Sequence, residues 1–267
     1  MDIRFIDPVP SVLEEVKNAT GKDIEFIPRE TLPTFAMIKM ARENMPAHIM
    51  YYKPKHDEVI NHLIVHECGH VLRTFQCPAN QRLIPYSDKQ IKQAVLAEIR
   101  QDIIALNGTL SAEQIAHLLN IWHDGLIRQL INYPPDIMIE KWIFDRFPAL
   151  RPLQLQSLNK QLAEALVGLS EPVIRMTPPR ILNTSNVMNY TFFRILGFYV
   201  GQNFIKQYSS SPCINKGKEL ADLTEKEYSD DHRGDNLMID RWAAFLNLTH
   251  WFAWRGFEDV PPGYGKM

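Results

Sequence analysis

Cysteine is scarce in this sequence of 267 residues, and its scarcity limits how the fold can be held together. The three cysteines, Cys68, Cys77 and Cys213, are odd in number and irregularly spaced. A disulfide framework would need an even set of cysteines. We therefore expect a fold stabilised by a hydrophobic core, and the 45% of hydrophobic residues is ample for one.

The sequence also lacks an excess of charge of one sign and lacks long apolar runs. The formal net charge is -2 and no basic stripe is visible, so nucleic acid is not an expected partner. No apolar run reaches the roughly 18 residues that a membrane span needs. The N-terminal residues lack the basic start and apolar core of a signal peptide. These features predict a soluble, cytoplasmic protein with no membrane partner, and they leave its oligomeric state open.

One stretch of the sequence carries a recognisable chemical pattern. His66 and His70 are four residues apart, close to one helical turn of 3.6 residues, so both imidazoles project from one helical face and can hold one metal ion. Glu67 follows His66 directly. This His-Glu-x-x-His arrangement combines two imidazole ligands with a carboxylate that can accept a proton from water.

The residues around this pattern predict that its helix is buried. Apolar side chains at positions 59–75 lie almost all round the predicted helix. A buried group of His66, Glu67 and His70 needs a partner, because desolvating unpaired polar groups costs several kcal/mol, and a metal ion would satisfy it. The structural alternative is a hydrogen-bonded pair of core histidines with a surface glutamate. Gly69 indicates a close approach to this helix, since glycine inside a helix costs about 1 kcal/mol relative to alanine.

Residues 63–72, Leu-Ile-Val-His-Glu-Cys-Gly-His-Val-Leu, resemble the active-site helix of zincin-class zinc metallopeptidases. Within that class they are similar to the gluzincins and to the ImmA/IrrE-type peptidases. The resemblance implies Zn²⁺ as cofactor, His66 and His70 as metal ligands, Glu67 as general base, and a peptide or protein as substrate. It covers only the neighbourhood of this helix.

The order of elements before this helix agrees with that resemblance. A short amphipathic helix is predicted at residues 11–18, followed by three strands at 24–27, 35–40 and 48–52. We therefore expect an α+β, mainly helical, zincin-like fold with a small N-terminal β-sheet packed on the His-Glu-x-x-His helix. In this arrangement, residues 48–52 would form the edge strand beside the metal, where an extended peptide substrate could add as a further strand.

A third metal ligand is first suggested by Glu98. Residues 87–106 are predicted to form one helix, and Glu98 and Asp102 fall inside its apolar arc. Carboxylates in such a place must be protonated, paired or bound to metal. The pair also matches the gluzincin pattern Glu-x-x-x-Asp, which implies Glu98 as the third zinc ligand and Asp102 as a group bonded to a ligand histidine.

Glu140 is the competing candidate for the third ligand. Tyr133-Pro134-Pro135 is predicted to end a helix that begins near residue 111 and to start another at 136–147. Within that second helix Asp136 and Glu140, one turn apart, lie among apolar residues. One of the two glutamates is expected to bind the metal, with His62, one turn before His66, as a further candidate. The structural alternative for either carboxylate pair is a buried salt bridge to an arginine.

The C-terminal half of the sequence has a different character. Residues 1–150 are predicted to form the metallopeptidase domain, and 151–267 a helical, aromatic-rich region packed on it. Helices are predicted at 153–169, 187–208 and 236–257, and the charged residues 216–235 are predicted to form a solvated loop. Tyr190, His232 and His250 are candidates for stabilising an oxyanion.

Three functions are compatible with the sequence. The first is a zinc-dependent peptidase that uses a metal-activated water and Glu67 as general base. The second is a non-catalytic regulatory or binding protein with a zincin fold, although retention of Glu67 favours hydrolysis. The third, a carboxylate-bridged di-metal oxidase, is disfavoured because a second Glu-x-x-His is missing and strands precede the motif helix.

Overall fold

A computed structural model describes residues 3–104, 106 and 110–260, and these are mainly helical with a small sheet, which confirms the α+β class. The described chain forms two compact units. Unit 1 comprises residues 3–84, 138–159 and 255–260, and unit 2 comprises 85–104, 106, 110–137 and 160–254. Each unit is thus assembled from separate segments, whereas the sequence predicted two consecutive domains that meet at residue 150.

The N-terminal part of unit 1 follows the predicted order of helix, three strands and helix. The first helix ends at Thr20 and is capped by Gly21, whose positive φ of 72° suits glycine. The elements are α1 (Val9–Thr20), β1 (Asp23–Pro28), β2 (Ala36–Lys39), β3 (Ala47–Tyr52), a 3-10 segment (Pro54–Val59) and α2 (Ile60–Phe75).

The three strands form one sheet in the order β1-β3-β2. β1 runs parallel to β3, with Asp23 beside Ala47, and β2 runs antiparallel to it, with Ala36 beside Tyr52. The prediction that residues 48–52 form the edge strand is therefore wrong. β3 lies in the centre, and its side chains are buried on both faces of the sheet except for the half-buried Ile49, as is usual for a strand that is covered on both faces.

The core of unit 1 packs α1, the sheet and the C-terminal part of a long helix onto α2. Its apolar side chains come from each of these elements, so the polar residues of α2 sit in a densely packed setting. The fully or almost fully buried members include Val9, Val12, Val16, Met50, Ile64, Val65, Cys68, Val71, Ile139 and Ile143.

The remaining elements are mostly helices. Short 3-10 segments connect several of them, and the two remaining strands pair in a two-stranded sheet. The elements are β4 (Leu83–Tyr86), α3 (Lys89–Glu98), α4 (Arg100–Ile104), α5 (Ala112–Arg146), α6 (Arg151–Leu166), α7 (Glu171–Met176), α8 (Pro179–Tyr199), α9 (Ile214–Glu227), α10 (His232–Leu246) and β5 (Ala253–Gly256).

Helix α5 continues through Pro134 and Pro135, so the predicted stop at this point is wrong. Proline removes a helical N–H and crowds the preceding turn, at a cost of about 3 kcal/mol. Here both prolines are buried and lie between the buried Leu130 and Ile137. Tertiary burial on both sides of the prolines thus overrides the local preference for a break.

The single helix predicted at residues 87–106 is also wrong, because α3 ends at Glu98 and α4 begins at Arg100. Ile99 between them has φ -86° and ψ 5°, outside the helical region. Glu98 and Asp102 therefore do not occupy successive turns of one helix. Position 105 of the predicted helix lies outside the described residues.

The C-terminal helices are shifted from their predicted positions. The predicted loop at 216–235 is mostly α9 and the first turn of α10, because its buried residues Leu220, Ala221 and Thr224 share one helical face. Helix α10 ends at Leu246 since Asn247 adopts a left-handed conformation with φ 58°. In place of the helix predicted at 187–208, the chain forms α8 from Pro179 to Tyr199. Its start at Pro179 is expected, because proline is favoured at the first position of a helix.

Across the described part of the chain, none of the helices is both long enough and apolar enough to cross a membrane.

Candidate metal centre

Three histidines form a row along one face of α2. His62, His66 and His70 are spaced by four residues, so successive turns stack their imidazoles. The ring centroids of His66 and His70 are 5.1 Å apart, and those of His62 and His66 are 6.1 Å apart. The structure thus places the two motif imidazoles side by side, as the spacing predicts.

The row runs from the protein core toward its surface. The side chain of His62 is fully buried, that of His66 is 13% exposed, and His70 is half-buried. Only the outer two imidazoles therefore have any access to solvent or to a substrate.

Glu140, on α5, contacts two of these histidines from within the core. Its side chain is 1% exposed. Its Oε1 lies 2.8 Å from Nδ1 of His66, and its Oε2 lies 3.1 Å from Nε2 of His62. Gln154, on α6, donates from Nε2 to Oε2 of Glu140 at 2.6 Å and to the Glu140 carbonyl oxygen at 2.7 Å. The carboxylate is therefore held by three donors.

The electrostatic setting keeps Glu140 ionised. Burial alone would raise the pKa of this carboxyl, but the electrostatic attraction and hydrogen bonds of His62 and then of His66 lower it well below its usual range. An ionised carboxylate only accepts hydrogen bonds, so His66 donates from Nδ1 and His62 from Nε2. A neutral His66 in this tautomer carries its lone pair on Nε2, the nitrogen with which an imidazole can bind a metal.

The side chains that surround His66 are of the types that bind a transition metal such as zinc. Ligand atoms of His62, His66 and Glu140 all lie within 4.8 Å of one another. Imidazole and carboxylate are common zinc ligands, and a carboxylate that accepts the second N–H of a ligand histidine is a recurrent feature of zinc sites. Glu140 therefore suits a metal centre either as ligand or as the partner of His66.

Glu67 lies between the motif helix and the sheet. Its Oε2 accepts the backbone N–H of Ile38, on β2, at 2.9 Å, and the residue is 9% exposed. Strand β2 is an edge of the sheet, and Ile38 uses this N–H outside the ladder with β3. One carboxylate oxygen of Glu67 is thereby fixed in orientation by the sheet.

Gly69 explains how α5 comes close enough for Glu140 to reach His66. A Cβ added at Gly69 would lie 2.7 Å from Cγ2 and 3.1 Å from Cγ1 of Ile139. Carbon atoms do not approach so closely without strain, so any larger residue would force α2 and α5 to shift. The close approach that the sequence predicted at Gly69 is thus confirmed, with Ile139 as its partner.

Glu98 lies in unit 2, at the end of α3. It forms ion pairs with Arg180 and His250 and accepts the indole N–H of Trp251 at 3.3 Å. Burial would raise the pKa of this carboxyl, but the hydrogen bonds from His250 and Arg180 outweigh it and lower the pKa. Of the other carboxylates considered, Asp102 lies on α4, and Asp136 lies on α5, one turn before Glu140.

The candidates for an oxyanion helper all lie in unit 2. Tyr190 and His232 are buried, and His250 is hydrogen-bonded to Glu98.

Nothing in the sequence pointed to Gln154, because a single glutamine in an amphipathic helix carries no motif. His62 carried a usable signal, since it lies one turn before His66 on the same face.

Comparisons of this chain with protein-family models, curated proteins and solved structures find no match.

Proposed function

We propose that this protein is a zinc-dependent peptidase in which His66 and His70 hold the metal and Glu67 is the general base. The observation that carries this proposal is the hydrogen bond of 2.8 Å between His66 Nδ1 and the buried Glu140. It directs the lone pair of His66 to Nε2, on an imidazole whose ring lies 5.1 Å from that of His70. Two such imidazoles on successive turns are suited to share one ion.

Between the two glutamates considered as third ligand, Glu140 has the better claim to a role at this centre. It contacts His66 directly, whereas Glu98 is paired with Arg180, a side chain that stays charged at any physiological pH. A carboxylate that already neutralises a guanidinium loses that pairing if it moves to a metal. We therefore assign Glu140 to the metal centre and Glu98 to an ion pair within unit 2.

The chemistry follows from the positions of the chain's own residues. When bound, zinc supplies a Lewis acid that polarises the scissile carbonyl and lowers the pKa of water. Glu67 accepts a proton from the attacking water and passes it to the leaving amine. Its hydrogen bond to Ile38 fixes one oxygen of the carboxylate, so that less orientational freedom is lost during the reaction.

The edge strand β2 supports a peptide as the substrate. Ile38, the residue that contacts Glu67, belongs to this strand. An extended peptide can add to a sheet edge through its main chain. At β2 the N–H of Ile38 is already bonded to Glu67, so a peptide on this edge would pass beside that contact with its scissile bond near Glu67. This moves the expected substrate-binding edge from β3 to β2.

The competing function is a non-catalytic binding protein that keeps the zincin-like centre. The same bond between Glu67 and Ile38 supports it, because a carboxylate that ties α2 to β2 has a structural use even without catalysis. A peptidase needs Glu67 as a base, whereas a binding protein needs only its hydrogen bond to Ile38.

Glu67→Gln separates the two functions. The amide keeps the shape and still accepts the Ile38 N–H through its oxygen, but it cannot act as a base. We expect zinc content and melting temperature near those of the wild type, with peptide hydrolysis reduced roughly 10²- to 10⁴-fold. The assay follows cleavage of a mixed peptide library by mass spectrometry, with Glu14→Gln on the exposed side of α1 as control. A wild type that binds zinc yet cleaves the library no faster than Glu67→Gln would favour the binding protein.

A further inference from the structure

We propose that His62 and Gln154 are positioning residues, which hold Glu140 so that it fixes the orientation and tautomer of His66 rather than binding the metal itself. The consequence for zinc rests on the proposed function. The hydrogen-bonding role does not, because it can be measured in the protein without metal.

The two oxygens of Glu140 accept hydrogen bonds from different donors. Oε2 accepts from both His62 and Gln154, at 3.1 and 2.6 Å, while Oε1 accepts from His66 at 2.8 Å. An ionised carboxylate can accept about four hydrogen bonds, and a buried one loses considerable stability when a donor is removed without replacement. Three of these accepting sites are used by donors on different elements, so rotating the carboxylate toward a metal would strain or break the bonds that now fix it.

Gln154 fixes the conformation of Glu140. Its amide nitrogen donates to the side chain and to the main-chain carbonyl of the same residue. The opposite orientation of the amide would place its oxygen against two acceptors, so the contacts determine which way the amide lies. By bridging the backbone and the carboxylate, Gln154 restrains the side-chain torsions of Glu140. Both residues are fully buried, so water does not compete for these bonds.

Within the described part of the chain, His62 forms its side-chain hydrogen bond with Glu140. Its Nε2–H donates to Oε2. Its Nδ1 is buried and, among the residues that the structure describes, has no hydrogen-bond partner. A buried imidazole with one unused nitrogen costs stability, and the hydrogen bond to Glu140 is the polar contact that offsets part of this cost. His62 is thus a donor held one turn below His66, deeper in the core.

The tautomers can be tested directly by NMR of metal-free protein with ¹⁵N-labelled histidine. The expected result is a proton on Nδ1 of His66 and on Nε2 of His62, with His66 losing its preference in His62→Leu and in Gln154→Met. Wild-type spectra alone already test the assignment, so a variant that fails to fold does not prevent a decision. A His66 protonated on Nε2 in the wild type would overturn the proposal, whatever the protein's activity.

Zinc affinity, measured by competition with a chelator, tests the consequence. We expect up to about 10-fold weaker zinc binding for His62→Leu and Gln154→Met. This is the lower end of the range of about 10- to 100-fold for groups bonded directly to a ligand histidine, because these two residues act through Glu140. His62→Gln keeps an N–H donor and should recover most of the affinity. If His62→Leu lost zinc as completely as His66→Ala, His62 would be a ligand. If His62→Leu bound zinc with wild-type affinity and left the His66 tautomer unchanged, His62 would not be a positioning residue. Either result would overturn the proposal, and neither depends on hydrolysis.

Discussion

Glu140 in unit 1 and Glu98 in unit 2 come from the same sequence pattern, a carboxylate on an apolar helical face, yet their surroundings differ. Glu140 is 1% exposed and is held by two imidazoles and an amide. Glu98 is 27% exposed and is paired with Arg180 and His250. The pattern thus identifies carboxylates that need a partner, but it does not identify the partner.

The kind of partner decides what each carboxylate can do. A guanidinium is permanently charged, so Glu98 and Arg180 neutralise each other and need no further group. The imidazole of His66 has a second nitrogen, so the bond from His66 to Glu140 leaves a metal-binding atom on the same ring. This difference is why we connect Glu140, and not Glu98, with the proposed metal centre.

Removing each carboxylate should show the largest difference between the two regions. Glu140→Ala leaves His62, His66 and Gln154 without their shared acceptor in the core, which should lower the free energy of unfolding by about 3–5 kcal/mol. Glu98→Ala removes a partly exposed ion pair and should cost about 1 kcal/mol or less. Urea unfolding of the metal-free proteins measures both. Equal losses of unfolding free energy would contradict the difference in surroundings between Glu140 and Glu98.

A smaller difference is expected between two helical glycines, Gly69 in unit 1 and Gly125 in unit 2. Gly69→Ala places a Cβ against Ile139 and should destabilise the protein by roughly 1–3 kcal/mol through overpacking. A Cβ at Gly125 meets nothing within 4 Å, so Gly125→Ala should stabilise α5 by up to about 1 kcal/mol. Thermal unfolding of the two variants provides the measurement. A stabilised Gly69→Ala would show that α2 and α5 are not packed as tightly as the Ile139 contact indicates.

The sequence predicted those features that depend on local spacing. The row of imidazoles on α2, the position of Glu67 and the three strands follow from periodicity over a few residues. Long-range features were beyond it. The central place of β3 depends on the chain crossing between β1 and β3, and the continuation of α5 through Pro134 depends on burial that no local rule contains.

The partners of the two glutamates were hidden for the same reason. Arg180 and His250 are far from Glu98 in the sequence, so their pairing is not encoded in any motif around it. Gln154 follows Glu140 by fourteen residues, across the break between α5 and α6, where helical periodicity no longer relates the two side chains.

Zinc titration of the purified protein, with chelator competition and elemental analysis, tests whether the histidines of α2 hold a metal ion. We predict about one tightly bound zinc per chain in the wild type. Binding should be strongly weakened in His66→Ala and His70→Ala and nearly unchanged in His250→Ala, a matched histidine in unit 2. A folded wild type that takes up no zinc, or His66→Ala and His70→Ala variants that bind it as tightly as the wild type, would contradict the assignment of the metal centre to α2.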